Sequence, residues 1–220
     1  MAKRYTFLDP AALSRTVVLW LYIDVVASLL FGAASILSLS DLARVPPDAP
    51  KDTPLPSDLL VGLVALLQLV VTIVVGFLIL KWIYRMSRNA HAAVKGLEIR
   101  PPWAIGWFFV PIAFLWKPFQ AMSEIWRASM RPEGWRTAPV PGVLRWWWGF
   151  YLVMNFLGQA SFRTYLGAQT TGDLAVSGAF DVATAVLSVP LDLVFLRIVR
   201  ELTRMQVVEL TLGDAAPEPG

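Results

Sequence analysis

The chain of 220 residues contains no cysteine and a single histidine, His91. The absence of cysteine excludes a disulfide framework, a thiolate metal site and a cysteine nucleophile. A zinc or haem site ordinarily takes more than one histidine, so neither a metal nor a cofactor is predicted. Charge is also sparse, at 16% of residues against roughly 25% in an ordinary soluble domain.

Apolar sequence takes the place of charge, because 56% of residues are hydrophobic and the mean hydropathy is +0.58. This composition indicates a membrane protein. Crossing a bilayer core as a helix takes about 20 apolar residues. The runs of that length are residues 16–39, 59–84, 146–166 and 174–199. A fifth run, 103–116, is too short for a span and contains Pro111, which is typical of a re-entrant or interfacial segment.

The distribution of lysine and arginine predicts an orientation with both termini in the cytoplasm. If the fifth run dips in and out from that side, only Arg44, Lys51 and Arg163 of the 19 basic residues lie outside. All ten tryptophans also fall on the predicted cytoplasmic side. The net charge of +3 is therefore attributed to this bias, and no nucleic-acid partner is predicted. The predicted location is the inner (plasma) membrane, as a multi-pass protein.

The predicted fold is all-α, with four transmembrane helices and a short cytoplasm-facing re-entrant or interfacial helical segment over residues 103–129. Residues 1–212 form one membrane domain, and the acidic, Pro- and Gly-rich residues 213–220 are predicted to be disordered. Asp9 and Pro10 predict the start of the first helix, with Asp9 as its cap. The loop over residues 41–58 holds five prolines, which favour an extended, unpacked chain.

Residues 84–129 contain the sequence YRMSRNAHAAVKGLEIRPPWAIGWFFVPIAFLWKPFQAMSEIWRAS. This stretch resembles the bacterial membrane family catalogued as domain of unknown function 4328. The matching positions are Tyr84, Arg85, Asn89, Ala90, Pro101, Trp103, Trp107, Phe108, Pro111, Leu115, Trp116, Pro118, Gln120, Met122, Glu124, Trp126, Arg127 and Ser129. Residues 198–206, IVRELTRMQ, are similar to the family's closing R-x-L/I-T-x-x-Q. The resemblance implies a four-helix membrane protein and no assigned activity.

The same segment is predicted to form a binding surface at the inner leaflet. Pro111 and Pro118 break helix continuation, and irregular backbone at membrane depth must be enclosed by protein or line a wet cavity. Glu124 and Arg127, three residues apart on a predicted helix, are placed to pair. The candidates for contact with a ligand or partner are Arg85, Asn89, Trp103, Trp107, Pro111, Trp116, Gln120, Glu124, Trp126 and Arg127. The alternative is a plug that only determines the fold.

Four charged residues lie inside the predicted spans. They are Asp24, Asp181, Asp192 and Arg163. Because such charges are costly in a bilayer, they are expected to face the protein interior and to have partners. For Asp24 and Asp192, which lie at similar predicted depth, the expected partners are Lys117, indole N–H groups or each other through a shared proton. Arg163 and Asp181 are expected to form an ion pair. Small residues on the first and last spans predict that these two helices pack together.

The predicted function is that of a non-enzymatic integral membrane protein. It binds lipid, or a membrane or cytoplasmic protein partner, at a Trp-rich site in the inner leaflet. The alternative is a small proton-linked transporter or channel that uses Asp24 and Asp192, in which a homo-oligomer forms the pore. An enzyme is not predicted, because the sequence has no Walker loop, G-x-S-x-G or H-E-x-x-H motif and no evident nucleophile–base pair.

Overall fold

The computed structural model describes residues 5–213, with side chains as far as residue 208. In that range the chain forms six α-helices and no β-strand. The helices are α1 (Ala11–Leu42), α2 (Asp58–Ala93), α3 (Pro101–Gly106), α4 (Lys117–Met130), α5 (Gly142–Gly167) and α6 (Thr171–Gly213). Short 3₁₀ turns occupy Trp107–Phe109, Ala113–Leu115 and Trp135–Thr137. The predicted all-α class is confirmed, whereas the predicted disordered tail lies, from residue 214 onward, outside the described residues.

Three helices, α1, α2 and α6, are long and apolar enough to cross a membrane. They contain the predicted runs 16–39, 59–84 and 174–199. Many apolar side chains on α2 face outward, and Leu59 and Phe77 are 76% and 65% exposed. A continuous exposed apolar surface of this kind marks contact with lipid or protein and not with water. The three long apolar helices and this surface indicate a multi-pass membrane protein.

Two of the long helices, α1 and α6, begin at side-chain caps. The Asp9 Oδ1 atom accepts the N–H of Ala11 at 2.8 Å, which confirms the cap predicted for α1. At the start of α6 the Thr170 hydroxyl accepts the N–H of Asp173 at 3.2 Å, and the Asp173 carboxylate accepts the N–H of Thr170 at 3.1 Å. This reciprocal pair is a capping box, which satisfies donors that a helix start leaves open.

The chain packs as two compact units. The first unit holds, within the described range, residues 5–19, 76–148 and 195–213, and it contains all of α3 and α4. The second unit holds Trp20–Val75 and Gly149–Val194. It therefore contains the later part of α1, the first part of α2, most of α5 and the first part of α6.

Within the second unit α1 and α6 pack closely, as predicted. A Cβ atom placed on Gly32 would lie only 2.9 Å from the Cβ of Ala185, so the backbones approach to a distance that only glycine allows. Nearer the start of α6, Gly178 faces the side chain of Leu39 in the same way. Small residues on both helices therefore set this contact.

The loop between α1 and α2 is packed, so the prediction of an unpacked chain is wrong. Its backbone carbonyls receive hydrogen bonds from the first residues of α6. Thr171 donates its hydroxyl to the carbonyl of Pro46 at 2.6 Å, and Gly172 donates its N–H to the carbonyl of Pro47 at 2.9 Å. Proline lacks a donor but keeps its carbonyl. A proline-rich loop can therefore dock through its acceptors.

Candidate functional site

The two motif segments meet inside the first unit, around the buried side chain of Gln206 on α6. Its amide nitrogen donates to the carbonyl of Met86 at 3.1 Å and to the hydroxyl of Ser129 at 2.9 Å. Its amide oxygen accepts a hydrogen bond from Asn89 Nδ2 at 2.9 Å. One side chain thus joins α2, α4 and α6.

Asn89 extends this network to the segment before α1. Its Oδ1 accepts the N–H of Leu8 at 3.0 Å, and its Nδ2 donates to the carbonyl of Leu8 at 2.9 Å. Arg85, one helical turn earlier, donates to the carbonyl of Asp9 at 2.9 Å. The backbone at residues 8 and 9 is therefore held by two side chains of α2.

A second buried group lies along the same helices. The indole N–H of Trp82, which is fully buried, donates to the hydroxyl of Ser14 at 3.0 Å. That hydroxyl lies 2.7 Å from the hydroxyl of Thr203. We call the combined set the polar core, comprising Ser14, Trp82, Asn89, Ser129, Thr203 and Gln206. Buried polar groups with satisfied hydrogen bonds specify one arrangement of their helices, and the polar core joins α1, α2, α4 and α6 within the first unit.

Glu124 on α4 holds the chain that leads into α3. Its buried carboxylate accepts the backbone N–H groups of Glu98 and Ile99, both at 3.1 Å. Burial raises the pKa of this carboxyl, and the two N–H donors partly oppose the rise. The predicted pairing with Arg127 is wrong, since no ion pair joins the two among the described side chains. The Glu124 carboxylate is instead hydrogen-bonded to two backbone N–H groups of the preceding loop.

The connection from α3 to α4 is broken at Pro111, as predicted. The N–H of Ala113 donates to the Pro111 carbonyl at 2.7 Å, and Ile112 between them has φ 66° and ψ −51°. These values describe a γ-turn, which is strained for any residue with a side chain. Pro118 falls in the first turn of α4, where its missing N–H has no cost.

Four large apolar side chains on α3 and on the connection that follows it point outward, and we call them the aromatic edge. They are Trp103, Phe109, Ile112 and Trp116, with exposed fractions of 50%, 73%, 68% and 49%. The Trp103 ring stacks on Trp107, with centroids 4.6 Å apart. On the same ring system, Lys117 places its ammonium 5.8 Å from the Trp107 centroid, within range of a cation–π contact. Exposed aromatic surface and positive charge therefore lie side by side.

The ten predicted contact residues divide by burial. Buried are Asn89, Glu124 and Trp126; partly buried are Arg85, Trp107, Gln120 and Arg127; exposed are Trp103, Pro111 and Trp116. Asn89 and Glu124 are engaged with the protein's own backbone. The exposed group lies along the aromatic edge. Phe109 and Ile112 belong to this edge but were not among the predicted residues, although their position beside Pro111 in the run FFVPI was a signal for them.

In the second unit, Asp24 is bound by a residue that was not among its predicted partners. Gln68 on α2 donates its amide to Asp24 at 3.1 Å and to the hydroxyl of Ser28 at 3.3 Å. Asp192 on α6 interacts electrostatically with Asp24. Asp192 is only 6% exposed, and its Oδ2 has no hydrogen-bond partner in the described part of the chain.

The predicted ion pair between Arg163 and Asp181 is wrong. Asp181 accepts the hydroxyl of Ser161 at 2.5 Å, and within residues 5–208 no ion pair reaches it. Arg163 is exposed. Two residues along a helix turn the side chain by about 200°, so when Ser161 faces α6, Arg163 faces away.

Within the described residues, no three His, Asp or Glu side chains converge in a way that could hold a metal ion. A family model described as Domain of unknown function (DUF4328) matches residues 51–204, more than half of the chain. This match includes the segment 84–129 on which the resemblance was based. No curated protein and no solved structure matches the chain.

Proposed function

The chain belongs to the DUF4328 family of domains of unknown function, and we propose that it is a non-enzymatic membrane protein that binds anionic lipid through its aromatic edge. In this proposal α5 is a fourth span beside α1, α2 and α6. The connection between α3 and α4 is a re-entrant or interfacial dip from the cytoplasmic side. Both termini face the cytoplasm, and the membrane is the bacterial inner membrane.

The length and surface of α5 support a fourth span. Its 26 residues reach about 39 Å at 1.5 Å per residue, more than the roughly 30 Å of a bilayer core. Phe156 and Phe162 are 60% and 59% exposed, as lipid-facing side chains are. The turn between α5 and α6 spans residues 168–170, which makes these helices antiparallel neighbours. An even number of spans then returns the chain to its starting side.

The observation that carries the lipid proposal is the aromatic edge itself. Tryptophan is enriched where a membrane meets water, because its ring is apolar and its N–H is polar. The γ-turn displays the apolar side chain of Ile112 outward at a cost in backbone strain, and such strain concentrates at functional positions. Arg100, exposed just before α3, and Lys117 supply positive charge, and each basic residue near an anionic surface contributes about 1 kcal/mol.

Absence of cysteine permits a direct test of membrane depth. Ile112→Cys and, as a control, Arg131→Cys at the exposed end of α4 are each labelled with a nitroxide in proteoliposomes. We expect the label at position 112 to be relaxed mainly by oxygen, which concentrates in lipid, and the label at 131 by a water-soluble nickel complex. Equal nickel accessibility at the two positions contradicts the proposal. Protection of position 112 from both oxygen and the nickel complex would show that a protein partner, and not lipid, covers the aromatic edge.

Lipid binding is tested by native mass spectrometry with added phosphatidylglycerol. The double variant Trp103→Ala/Trp116→Ala is expected to retain several-fold less bound lipid than the wild type. Trp146→Ala is the control, because Trp146 is 68% exposed but lies outside the aromatic edge. Equal loss in both variants would show that any exposed tryptophan serves, and the assignment to this edge would fall.

A second proposal, a proton-linked transporter, is favoured by the buried Asp192 oxygen, which has no partner among the described side chains, and by the electrostatic interaction of Asp192 with Asp24. A pore in so small a chain would require several copies. In proteoliposomes carrying a pH gradient, Asp24→Asn or Asp192→Asn is expected to abolish proton flux, while Asp48→Asn in the exposed loop leaves it intact. An absence of flux through the wild-type protein under any gradient removes this proposal.

A further inference from the structure

The second unit contains a cavity of about 680 Å³ that no predicted function uses. It begins at the loop between α1 and α2, where Lys51 and Asp52 line it, and continues between α1, α2, α5 and α6. Ligand pockets for small organic molecules occupy roughly 300–1,000 Å³. The volume is therefore sufficient for a molecule of that class.

Most of the wall is apolar. The apolar lining includes Phe31, Leu42, Leu55, Val61, Leu166 and Leu174. Gly62 on α2 also lines the cavity, and a Cβ placed there would meet nothing within 4 Å. The wall favours a ligand with an apolar body.

The charged lining is mainly acidic. Three carboxylates, Asp52, Asp58 and Asp181, are present with one ammonium group, that of Lys51. Asp58 is engaged at the start of α2, where its Oδ2 accepts the N–H of Leu55 at 2.8 Å. Asp181 lies deeper, ten residues after the start of α6 at Thr171, or about 15 Å along the helix. An entering molecule therefore meets negative charge both at the loop and inside.

Asp181 has one carboxylate oxygen bonded within the protein, and the residue lines the cavity. Its Oδ1 accepts the hydroxyl of Ser161, and Ser177, which also lines the cavity, lies one turn before it on α6. Its Oδ2 accepts no hydrogen bond from the described residues. A carboxylate at membrane depth is stabilised by a cation beside it, and the cavity provides room for one.

We propose that this cavity binds an amphipathic organic cation, with its apolar body against the helix walls and its cationic group at Asp181. Two sources share this chemistry, a free lipophilic cation and a membrane lipid whose headgroup carries an amine. This site is separate from the aromatic edge, and neither proposal depends on the other.

The test uses radiolabelled tetraphenylphosphonium and the protein in a non-ionic detergent, with protein-free micelles as background. Tetraphenylborate, an anion of the same shape, is the matched ligand. Asp181→Asn keeps an acceptor for Ser161 and removes the charge, and Asp24→Asn is its control. Gly62→Phe fills the cavity, and Gly76→Phe is its control on the same helix, since a Cβ at Gly76 also meets nothing within 4 Å.

We expect saturable binding of one phosphonium ion per chain and no saturable binding of the borate. Asp181→Asn is expected to weaken binding about tenfold to hundredfold, the range for losing a charged contact. Gly62→Phe is expected to abolish it, while both control variants bind like the wild type. Equal binding of the two ions, or unchanged binding in folded Asp181→Asn and Gly62→Phe proteins, overturns the proposal. Mass spectrometry of the purified protein distinguishes the sources, because an aminophospholipid that phosphonium displaces identifies the lipid.

Discussion

Replacement of Gln206 by methionine tests the polar core most directly. Methionine has nearly the same length and volume, so packing in the first unit is preserved. What is lost is the amide, and with it three hydrogen bonds, to Met86, to Ser129 and from Asn89. The effect on stability therefore reports on the hydrogen bonds and not on a cavity.

The expected loss is about 2–3 kcal/mol in the free energy of unfolding, because each buried hydrogen bond contributes about 0.5–1.5 kcal/mol net. Asn89 retains the Leu8 carbonyl as an acceptor, which limits the loss. The hydroxyl of Ser129, in a residue only 6% exposed, loses the partner that Gln206 provided. An orphaned buried group costs about 1–3 kcal/mol, so the loss cannot fall to zero.

The assay is denaturant unfolding in mixed micelles, followed by tryptophan fluorescence, since Trp82 and Trp126 are buried in the same unit. Gln169→Met is the control at an exposed position, and its free energy of unfolding is expected to change by less than about 0.5 kcal/mol. A double-mutant cycle of Gln206→Met with Asn89→Leu should show coupling of at least about 0.5 kcal/mol, because the residues share a bond. If Gln206→Met proves no more destabilising than Gln169→Met, the polar core does not hold these helices.

Three further predictions use the same unfolding assay. Burial raises the pKa of Glu124 above its ordinary 4.5, so the folded state binds this proton more tightly than the unfolded state does. The free energy of unfolding should therefore increase as the pH falls from 7 towards 4.5, and Glu124→Gln should lose this pH dependence. A pH profile of the variant that runs parallel to that of the wild type contradicts the prediction. Trp82→Phe should cost about 1 kcal/mol more than Trp126→Phe, because the Trp82 indole donates to Ser14 whereas the Trp126 indole N–H has no partner among the described residues; equal losses would argue against it. Ile112→Gly should be more stable than Ile112→Ala by about 1 kcal/mol, because only glycine relaxes at φ 66°, and the opposite order would show that the γ-turn is unstrained.

The helices could be predicted because their causes are local in sequence. A run of about 20 apolar residues is read directly from the chain, and so is the cap at Asp9. The break at Pro111 follows from the missing N–H of proline. The family match over residues 51–204 likewise depends only on the order of amino acids in the sequence. The closeness of α1 and α6 could also be predicted, because small residues on a helix allow close approach.

Side-chain partners could not be predicted, because they depend on helix rotation and on distant backbone. Arg163 and Ser161 differ by two positions, and only the rotation of α5 decides that Ser161 meets Asp181. Glu124 had a suitable cation three residues away, yet it binds backbone N–H groups at residues 98 and 99. The pattern of polar residues limits the candidates for a partner, but it does not choose among them.

The contact between Asn89 and Gln206 has a consequence for the birth of the chain. The two residues are 117 positions apart, so a ribosome adding about 5–20 residues per second needs roughly 6–23 s to supply the second after the first. Until Gln206 is made, Asn89 and Ser129 lack the amide that joins them, although α2 and α4 are complete well before that point. The hydrogen bonds that join the helices of the first unit can therefore form only after α6, the last helix to be synthesised, is present. Cellular quality-control factors that bind incomplete membrane proteins would encounter the unpaired Asn89 and Ser129 side chains in every newly made chain.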